Sequence, residues 1–485
     1  VIEARDEPMF TAAGVAAATG ASLIGEPSAR VESIVADSRE AGPFALFVAL
    51  PGARVDGHSF IEAALREGTS CILARSDQRS SVEAASSALA KQAGAALLFV
   101  PDTLSALQSL ARAYRARYPN LLRIGVTGSS GKTTTKECIA SILGRSRSII
   151  VNHGNLNSDI GLPLSIFAIT KAHEVGIFEM GMSRLGEMNE LASVLEPDVA
   201  LITNVGIAHV GVLGSRDAIA GEKKAIFSRF DGRQAGFVWE DDDYNAFLKS
   251  GVRGDVADFG PRSTIRLSVA RDRGLEGYDL SWDGIAFHYP LPGRHNLLDA
   301  VGAAATASRA GASASDVAEG LSSVRPLFGR SEVLRGEFTI VRDCYNANPD
   351  SMAAAIRLCD SVDWAGRRAY VLGSMLELGP ESEAAHRTMG EIAGRSEADA
   401  LFFFGEETRS AFDAARLAGF RGLMIFETDF ERLLAAIRGY IAPGDLALIK
   451  ASRSMALERL AEALATGRSR TTESSRVLGE ASDVP

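Results

Sequence analysis

The segment Gly128-Ser129-Ser130-Gly131-Lys132-Thr133-Thr134 has the residue types of a loop that holds phosphate. Gly128 and Gly131 let the backbone curl until successive N–H groups face an anion. The apolar run Arg123–Thr127 precedes the segment and the helical pattern Thr133–Leu143 follows it. The positive end of a helix dipole therefore adds to the site. Lys132 supplies a point charge for β and γ phosphates, and the Thr133 hydroxyl is the usual Mg²⁺ ligand of such loops. The full Walker pattern asks for glycine at position 126, where this chain has Val126, so the match is to the shorter form T-G-x-x-G-K-T-T. ATP is the expected ligand. The loop names no reaction, because kinases, motors, transport ATPases and ligases all use it.

Three other positions could join that chemistry. Glu179 ends the strand-like run Val175–Glu179. Ligands of doubly wound sheets bind beyond the carboxyl ends of strands, where a carboxylate can reach a metal held by the phosphate loop. His209 follows the strand-like run Val199–Asn204 and suits a metal ligand or a donor to one. A lone histidine among apolar residues is more often a satisfied core or turn residue. Lys223 and Lys224 lie in the helical pattern Gly221–Phe227 and by themselves read as a solvated helix face. Their side chains point about 100° apart, so only one can face a site.

The elements that position these residues fall into three stretches. Residues 1–119 carry short apolar runs at Ala45–Leu50, Cys71–Ala74 and Ala96–Val100, then a helix over Leu104–Tyr118 that Pro119 stops. Residues 120–325 alternate strands with helices, which implies a parallel sheet covered on both faces. From Val238 to about Pro292 short alternating segments suggest a β-rich insertion. Residues 326–485 show strands at Thr339–Cys344, Ala369–Gly373, Ala400–Gly405, Leu423–Phe426 and Leu446–Lys450, a second Rossmann-like sheet. The tail after about Gly467 has the composition of a disordered segment. The expected fold is α/β in three domains, with a central P-loop parallel-sheet ATPase domain and a C-terminal Rossmann-like domain.

Bulk composition excludes other classes. The 485 residues are 46% hydrophobic and 23% charged, with a net charge of −10. No run of Lys and Arg stands out, which argues against a nucleic-acid partner. The four cysteines form no C-x-x-C pair, so neither a disulfide framework nor a zinc ribbon is expected. The stretch Val199–Ser215 is too short to span a bilayer, and Val1–Asp6 has no apolar signal core. A cytoplasmic monomer is expected.

Several motifs, in order along the chain, resemble those of the Mur ligases of peptidoglycan synthesis. Asp37-Ser38-Arg39, Leu46–Leu50 and Asp56-Gly57-His58 look like the family's first domain, which holds the UDP-sugar end of the substrate. Thr127–Thr134 matches its ATP loop. Asn155–Pro163 is similar to G-N-x-N-N-x-I-G-x-P, with Ser158 in place of the second paired Asn. Gly293-Arg294-His295-Asn296 resembles the G-x-H-N element near adenine, with Asp299 replacing a later Asn. Gly329-Arg330 resembles the pair that opens the third domain. Asp343–Met352 is close to D-x-Y-N-A-N-P-x-S-M, the family's most distinctive motif. Gly373–Gly379 and Lys450–Met455 resemble G-D-M-x-E-L-G and K-G-S-R-S-M, with Ser374 and Ala451 as departures.

The resemblance implies roles. ATP would be held by Gly128, Ser129, Ser130, Gly131, Lys132, Thr133, Thr134, Asn296, Arg330, Asp343 and Asn346. Mg²⁺ would be held by Thr133, Glu179, His209 and a carbamylated Lys223, and Lys132, Lys223, His209 and Glu179 would be the catalytic set. Ser38, Arg39, Asn155, Asn157, Asn348, Ser452 and Arg453 would contact the substrates. The pattern is nearest to members that add D-alanyl-D-alanine to UDP-N-acetylmuramoyl-tripeptide through an acyl phosphate. Two rivals stand beside it: a related ligase with another amine, such as the diamino-acid-adding enzyme or folylpolyglutamate synthase, and a nucleotide-binding regulatory protein without ligation. Asn346-Ala347-Asn348 argues against the first, and intact Lys132, Glu179, His209 and Lys223 argue against the second.

Overall fold

A computed structural model of the chain describes residues 7–52 and 55–466. The tail after Gly467, expected to be disordered, lies outside the described residues. The first unit carries a five-stranded sheet in the order Ser22–Ile24, Ala96–Val100, Cys71–Arg75, Ala45–Val48, Ser33–Val35. Its inner strands are fully buried runs such as Ala-Leu-Leu-Phe-Val, as strands covered on both faces must be.

The central unit is a six-stranded parallel sheet in the order Asp255–Phe259, Ala235–Trp239, Val199–Ile202, Leu122–Thr127, Val175–Glu179, Ile149–Val151. Leu122–Thr127 comes first in the chain yet lies mid-sheet. It pairs with Val175–Glu179 on one side and Val199–Ile202 on the other. The chain thus reverses direction around this strand, and the reversal opens a crevice at its carboxyl end, where residues 128–134 begin.

The first and central units share one hydrophobic core, which runs through Leu46, Leu98, Leu110, Met180 and Leu191. The helix Thr103–Arg115 joins them. Asp102 caps it by accepting from the Ser105 N–H at 2.7 Å. The buried Tyr114 hydroxyl donates to the Ile169 carbonyl at 2.8 Å, and Arg115 donates to that of Val194 at 2.8 Å.

The third unit has the sheet order Glu332–Leu334, Thr339–Asp343, Leu446–Lys450, Arg368–Gly373, Ala400–Phe404, Leu423–Glu427, parallel except for its first strand. Separate cores cover its two faces. The helix Pro349–Ser361 starts in a capping box of Asn348 and Ser351, with Pro349 in its first turn.

Two elements depart from the sequence reading. The β-rich insertion begins at Leu267, not Val238, and comprises Leu267–Asp272, Tyr278–Trp282 and Ile285–Tyr289. Ala235–Trp239 and Asp255–Phe259 continue the parallel sheet. Asp255–Phe259 alternates because it is an edge strand with one wet face, and edge alternation mimics an antiparallel segment. The antiparallel strand Glu332–Leu334 is too short to leave a periodic signal.

Asp102→Ala should lower the stability of the unit built on helix 103–115 by about 1 kcal/mol, the usual worth of an N-cap. Denaturant unfolding followed by circular dichroism checks this, and an unchanged midpoint would contradict it.

Candidate active site

Residues 128–131 turn sharply between strand and helix. Gly128 has φ 152° and Gly131 φ 81°. A Cβ on Gly128 would lie 1.7 Å from the Thr203 hydroxyl, and one on Gly131 would lie 2.2 Å from Asp299 Oδ1. Only glycine fits either place. No side chain caps the helix Lys132–Leu143, so its first N–H groups remain free for an anion. The loop after the neighbouring strand fixes this turn. The Ser129 N–H donates to the Asn204 carbonyl at 3.0 Å and the Ser130 N–H to Asn204 Oδ1 at 3.0 Å. Asn204 Nδ2 and the Thr203 hydroxyl both donate back to the Ser130 carbonyl, at 3.1 and 2.6 Å.

Asp299 sits beneath the turn. Burial pushes its carboxyl well above the usual carboxylate range, against the nearby Thr135 hydroxyl and Arg330, which lower it. The uncharged acid this favours has the shape and neutrality of asparagine, the residue of the motif that Asp299 replaces.

The Thr133 hydroxyl is a point of convergence. It donates to Glu179 Oε2 at 2.7 Å and accepts from Arg330 Nη2 at 3.0 Å. Asn157 Nδ2 donates to Glu179 Oε1 at 2.7 Å, so both carboxylate oxygens are aimed. Asn152 clamps the Glu179 backbone at its N–H and its carbonyl, each at 2.9 Å. The buried Lys136 ammonium holds the Asn152 carbonyl at 2.6 Å. Lys132 Nζ donates to the Gly128 carbonyl at 2.9 Å, folded back over its own loop. Burial lowers the Lys132 pKa; Glu179 opposes the shift and Arg330 adds to it.

His209 has φ 66°, a left-handed backbone, and its Nδ1 lies 3.6 Å from Glu377 Oε2 of the third unit. Burial, then Lys132 and Lys223, lower its pKa to about 4. A neutral imidazole is the form that binds a metal. Lys223 and Lys224 end the helix Arg216–Lys224, which Ser215 caps. Lys223 is 1% exposed, and burial and Lys132 drive its pKa well below the usual lysine value against Glu222 and Asp242. Lys224 instead lies at the surface and donates to the Phe247 carbonyl and Ser250 hydroxyl at 2.8 and 3.0 Å.

The third unit reaches the same loop. Besides Arg330, whose guanidinium stacks 4.2 Å over the Tyr345 ring, Asn348 Nδ2 donates to the Ser130 hydroxyl at 3.0 Å. Asp343 pairs with the buried Lys450 ammonium at 3.0 Å, and the same ammonium donates to the Asn346 carbonyl at 3.0 Å. His295 bonds the Ser331 hydroxyl at 3.0 Å, next to Arg330. Asn296 donates to the Pro292 carbonyl at 2.7 Å. The Ser452 hydroxyl accepts from the Leu376 N–H at 2.9 Å. Arg453 pairs with Glu458 at 2.9 Å and lies near the Tyr345 ring.

The structure thus joins Thr133, Asn157, Glu179 and Arg330 in one hydrogen-bonded cluster and Ser130, Asn204 and Asn348 in a second, both resting on the phosphate loop. Asn155 is exposed and outside both. Ser38 and Arg39 lie on the first unit, in a turn capped by Asp37, where Arg39 is bound to that same Asp37. Sequence reasoning assigned nothing to Lys136, Asn152, Asn204 or Lys450. Asn204 had a signal in its place at a strand's carboxyl end; the others act through contacts that span the fold.

Thr133, Glu179 and the neutral His209 offer one hydroxyl, one carboxylate and one nitrogen. Among the described residues no group of three His, Cys, Asp or Glu could hold a metal by itself. The two oxygen donors, Thr133 and Glu179, fit Mg²⁺, a hard cation that takes oxygen ligands and binds through few protein groups together with substrate phosphates. Among the described residues, no helix is long and apolar enough to cross a membrane.

A P-loop at the mid-sheet strand, completed by an arginine from a separate Rossmann-like unit, defines an ATP-using enzyme whose site spans two domains. The chain belongs to the Mur ligase family. Three family models match it: the Mur ligase family catalytic domain over residues 30–115, the middle domain over 126–307, and the glutamate ligase domain over 329–453. The chain is 43% identical to the UDP-N-acetylmuramoyl-tripeptide–D-alanyl-D-alanine ligase of Treponema pallidum, covering 92% of this chain and 96% of that one. It is 33% identical to the Bacillus subtilis protein of the same name, covering 90% and 93%. Among solved structures, MurF from Acinetobacter baumannii superposes with a TM-score of 0.83 at 29% identity, covering 94% of this chain and 98% of that one. MurF ligase from Thermotoga maritima in complex with ADP gives 0.74 at 27%, covering 89% and 96%.

Two measurements check this geometry. Asn204→Ala removes both side-chain bonds to Ser130, and ATP affinity by calorimetry should fall about tenfold or more; unchanged affinity would contradict the buttress. The His209 ring should titrate by NMR near pH 4. The native state then binds fewer protons than the unfolded chain, whose histidine titrates at about 6.5, so this contribution to stability is lost as pH falls from there towards 4. A midpoint at the unfolded value would place the ring in solvent.

Proposed function

We propose that this chain joins D-alanyl-D-alanine to UDP-N-acetylmuramoyl-tripeptide using ATP, a step of peptidoglycan precursor synthesis. The observation that carries the reading is the Thr133 hydroxyl, met by Glu179 of the central unit and Arg330 of the third. Relatives that carry this activity in their names match nearly the whole chain.

A carboxylate resists attack by an amine because its leaving group would be oxide. Its oxygen therefore first takes the γ-phosphoryl group of ATP, and ADP leaves with the electron pair of the broken bond. The amine nitrogen then attacks the acyl carbon, a C–N bond forms, and phosphate departs with the electrons of the C–O bond. The protons lost by nitrogen pass to phosphate and solvent. Catalysis is mostly positioning and charge neutralisation. Lys132 and Arg330 offset phosphate charge, and the free N–H groups at the start of helix 132–143 bind the same oxygens. The third unit, seated on the loop through Asn348, excludes water that would hydrolyse the acyl phosphate.

Mg²⁺ would be held by Thr133, Glu179, His209 and Lys223, and when bound it neutralises phosphate charge. Lys223 takes part as a carbamate. Its buried amine, kept below the usual lysine pKa, is neutral often enough to react with CO₂, and the anion formed offers oxygen ligands.

Phosphate release should require ATP, UDP-muramoyl-tripeptide and D-alanyl-D-alanine together; ATP hydrolysis indifferent to the other two would contradict ligation. Lys223→Ala should be nearly inactive and partly restored by formate or acetate, whereas Lys224→Ala should be mildly affected. A fully active Lys223→Ala would exclude the carbamate.

A further inference from the structure

The motif D-x-Y-N-A-N-P-x-S-M leaves the place before its serine open, and in this chain Asp350 fills it. Asp350 lies in the first turn of the helix Pro349–Ser361, two residues after Asn348, whose side chain meets Ser130. It is exposed at the rim of the seam between the third and central units, yet its carboxylate faces across that seam. A Cβ on Gly206 would lie 1.9 Å from Asp350 Oδ2 and 3.3 Å from the Ser129 Cβ. The φ of Gly206 is outside the left-handed region, so its backbone does not call for glycine. What the place calls for is room, and the carboxylate of Asp350 is the group that takes it.

The surface that receives this carboxylate is fixed in advance. The Val205 N–H donates to Asp242 Oδ2 at 2.7 Å and the Gly206 N–H to the Ser129 hydroxyl at 2.8 Å. Arg216 donates twice to the Val205 carbonyl, from Nε at 3.1 Å and Nη2 at 2.8 Å. These bonds occupy the Val205 and Gly206 donors, and the next one, the Ile207 N–H, faces Asp350. Burial raises the Asp350 carboxyl from its ordinary value, against Arg216, the Ile207 N–H and Arg357, which lower it. Arg216 and Ile207 belong to the central unit, so the carboxylate is drawn across the seam by groups that its own unit does not supply. The loop it meets begins at Asn204, which buttresses the phosphate turn. Seating there accompanies the arrival of Asn348 at Ser130 and of Arg330 at Thr133.

We infer that Asp350 is a positioning residue: its carboxylate, seated against Gly206 and the Ile207 N–H, holds the third unit in the register that brings Arg330 to Thr133. It acts through that register and touches no reacting atom. The rate assay that tests it rests on the ligase reading above, whereas the scattering measurement does not. In the full-length protein, Asp350→Ala should lower kcat for ligation about three- to tenfold, the effect of losing one hydrogen bond and one exposed ion pair. The ATP KM should change little, because the phosphate loop is intact. Gly206→Ala should have a similar effect, since its methyl group displaces the carboxylate while leaving helix 349–361 untouched. The double variant should be no slower than the slower single one, because both substitutions remove the same contact. Asp350→Asn keeps an acceptor for the Ile207 N–H but loses the attraction of Arg216, so its kcat should fall between those of the wild type and Asp350→Ala. With a non-hydrolysable ATP analogue bound, small-angle scattering should give both single variants a larger radius of gyration than the wild type. A loss confined to Asp350→Ala, with Gly206→Ala unaffected, would make Asp350 only a favourable charge at a helix start and overturns the inference. So do losses that multiply in the double variant, a loss that falls on the ATP KM and spares kcat, or equal radii of gyration. Wild-type protein that does not ligate overturns the ligase reading before any substitution is made, and the scattering comparison then decides on the docking alone.

Discussion

The structure depends on one hydroxyl. Thr133 is placed by the strand–turn–helix of the phosphate loop, Glu179 by the next strand of the same sheet, and Arg330 by the start of the third unit. Their meeting at hydrogen-bond distance fixes the register between two domains that have separate cores. Glu179 could not serve there without support. Asn157 holds its free oxygen and Asn152 its backbone, and Lys136 secures Asn152 from beneath. A carboxylate so constrained is ready for a cation without reorganising.

The second constraint is electrostatic. Lys132, Lys223 and His209 share a small, poorly solvated region, and each has its pKa lowered, chiefly by burial. Crowded positive charge is tolerable there only if a group gives up its proton or an anion arrives. His209 does the former. In the proposed reaction, phosphate and a carbamate on Lys223 would provide the latter. Asp299 shows the same logic in reverse, since burial under the loop favours its uncharged form.

Much of this was legible in the sequence, because short-range patterns carried it. The phosphate loop, the strand ends that hold Glu179 and precede His209, and the strand–helix alternation of both Rossmann-like units all follow from local residue order. The choice of Lys223 over Lys224 followed from helix geometry together with the resemblance, and the burial of the two side chains agrees with it. Other roles left no local trace, even where, as at Lys450, the residue lies in a recognised motif. Lys136, Asn152 and Lys450 gain their meaning from partners brought close only by folding, and Lys450 reaches Asp343 across 107 positions of chain. The edge strand Asp255–Phe259 misled because one solvated face imitates an antiparallel pattern. Glu377 sat within a recognised motif, but a motif records neither its left-handed backbone nor its 3.6 Å approach to His209 across the two units.

The central claim is that Arg330 of the third unit completes the ATP site at Thr133, so that the acyl phosphate forms before the amine is needed. ATP labelled with heavy oxygen at the β–γ bridge tests it most directly. With UDP-muramoyl-tripeptide present and no dipeptide, the label should scramble into the β non-bridging positions in the wild type, and scrambling should be lost in Arg330→Ala. Scrambling at the wild-type rate in Arg330→Ala would contradict the account.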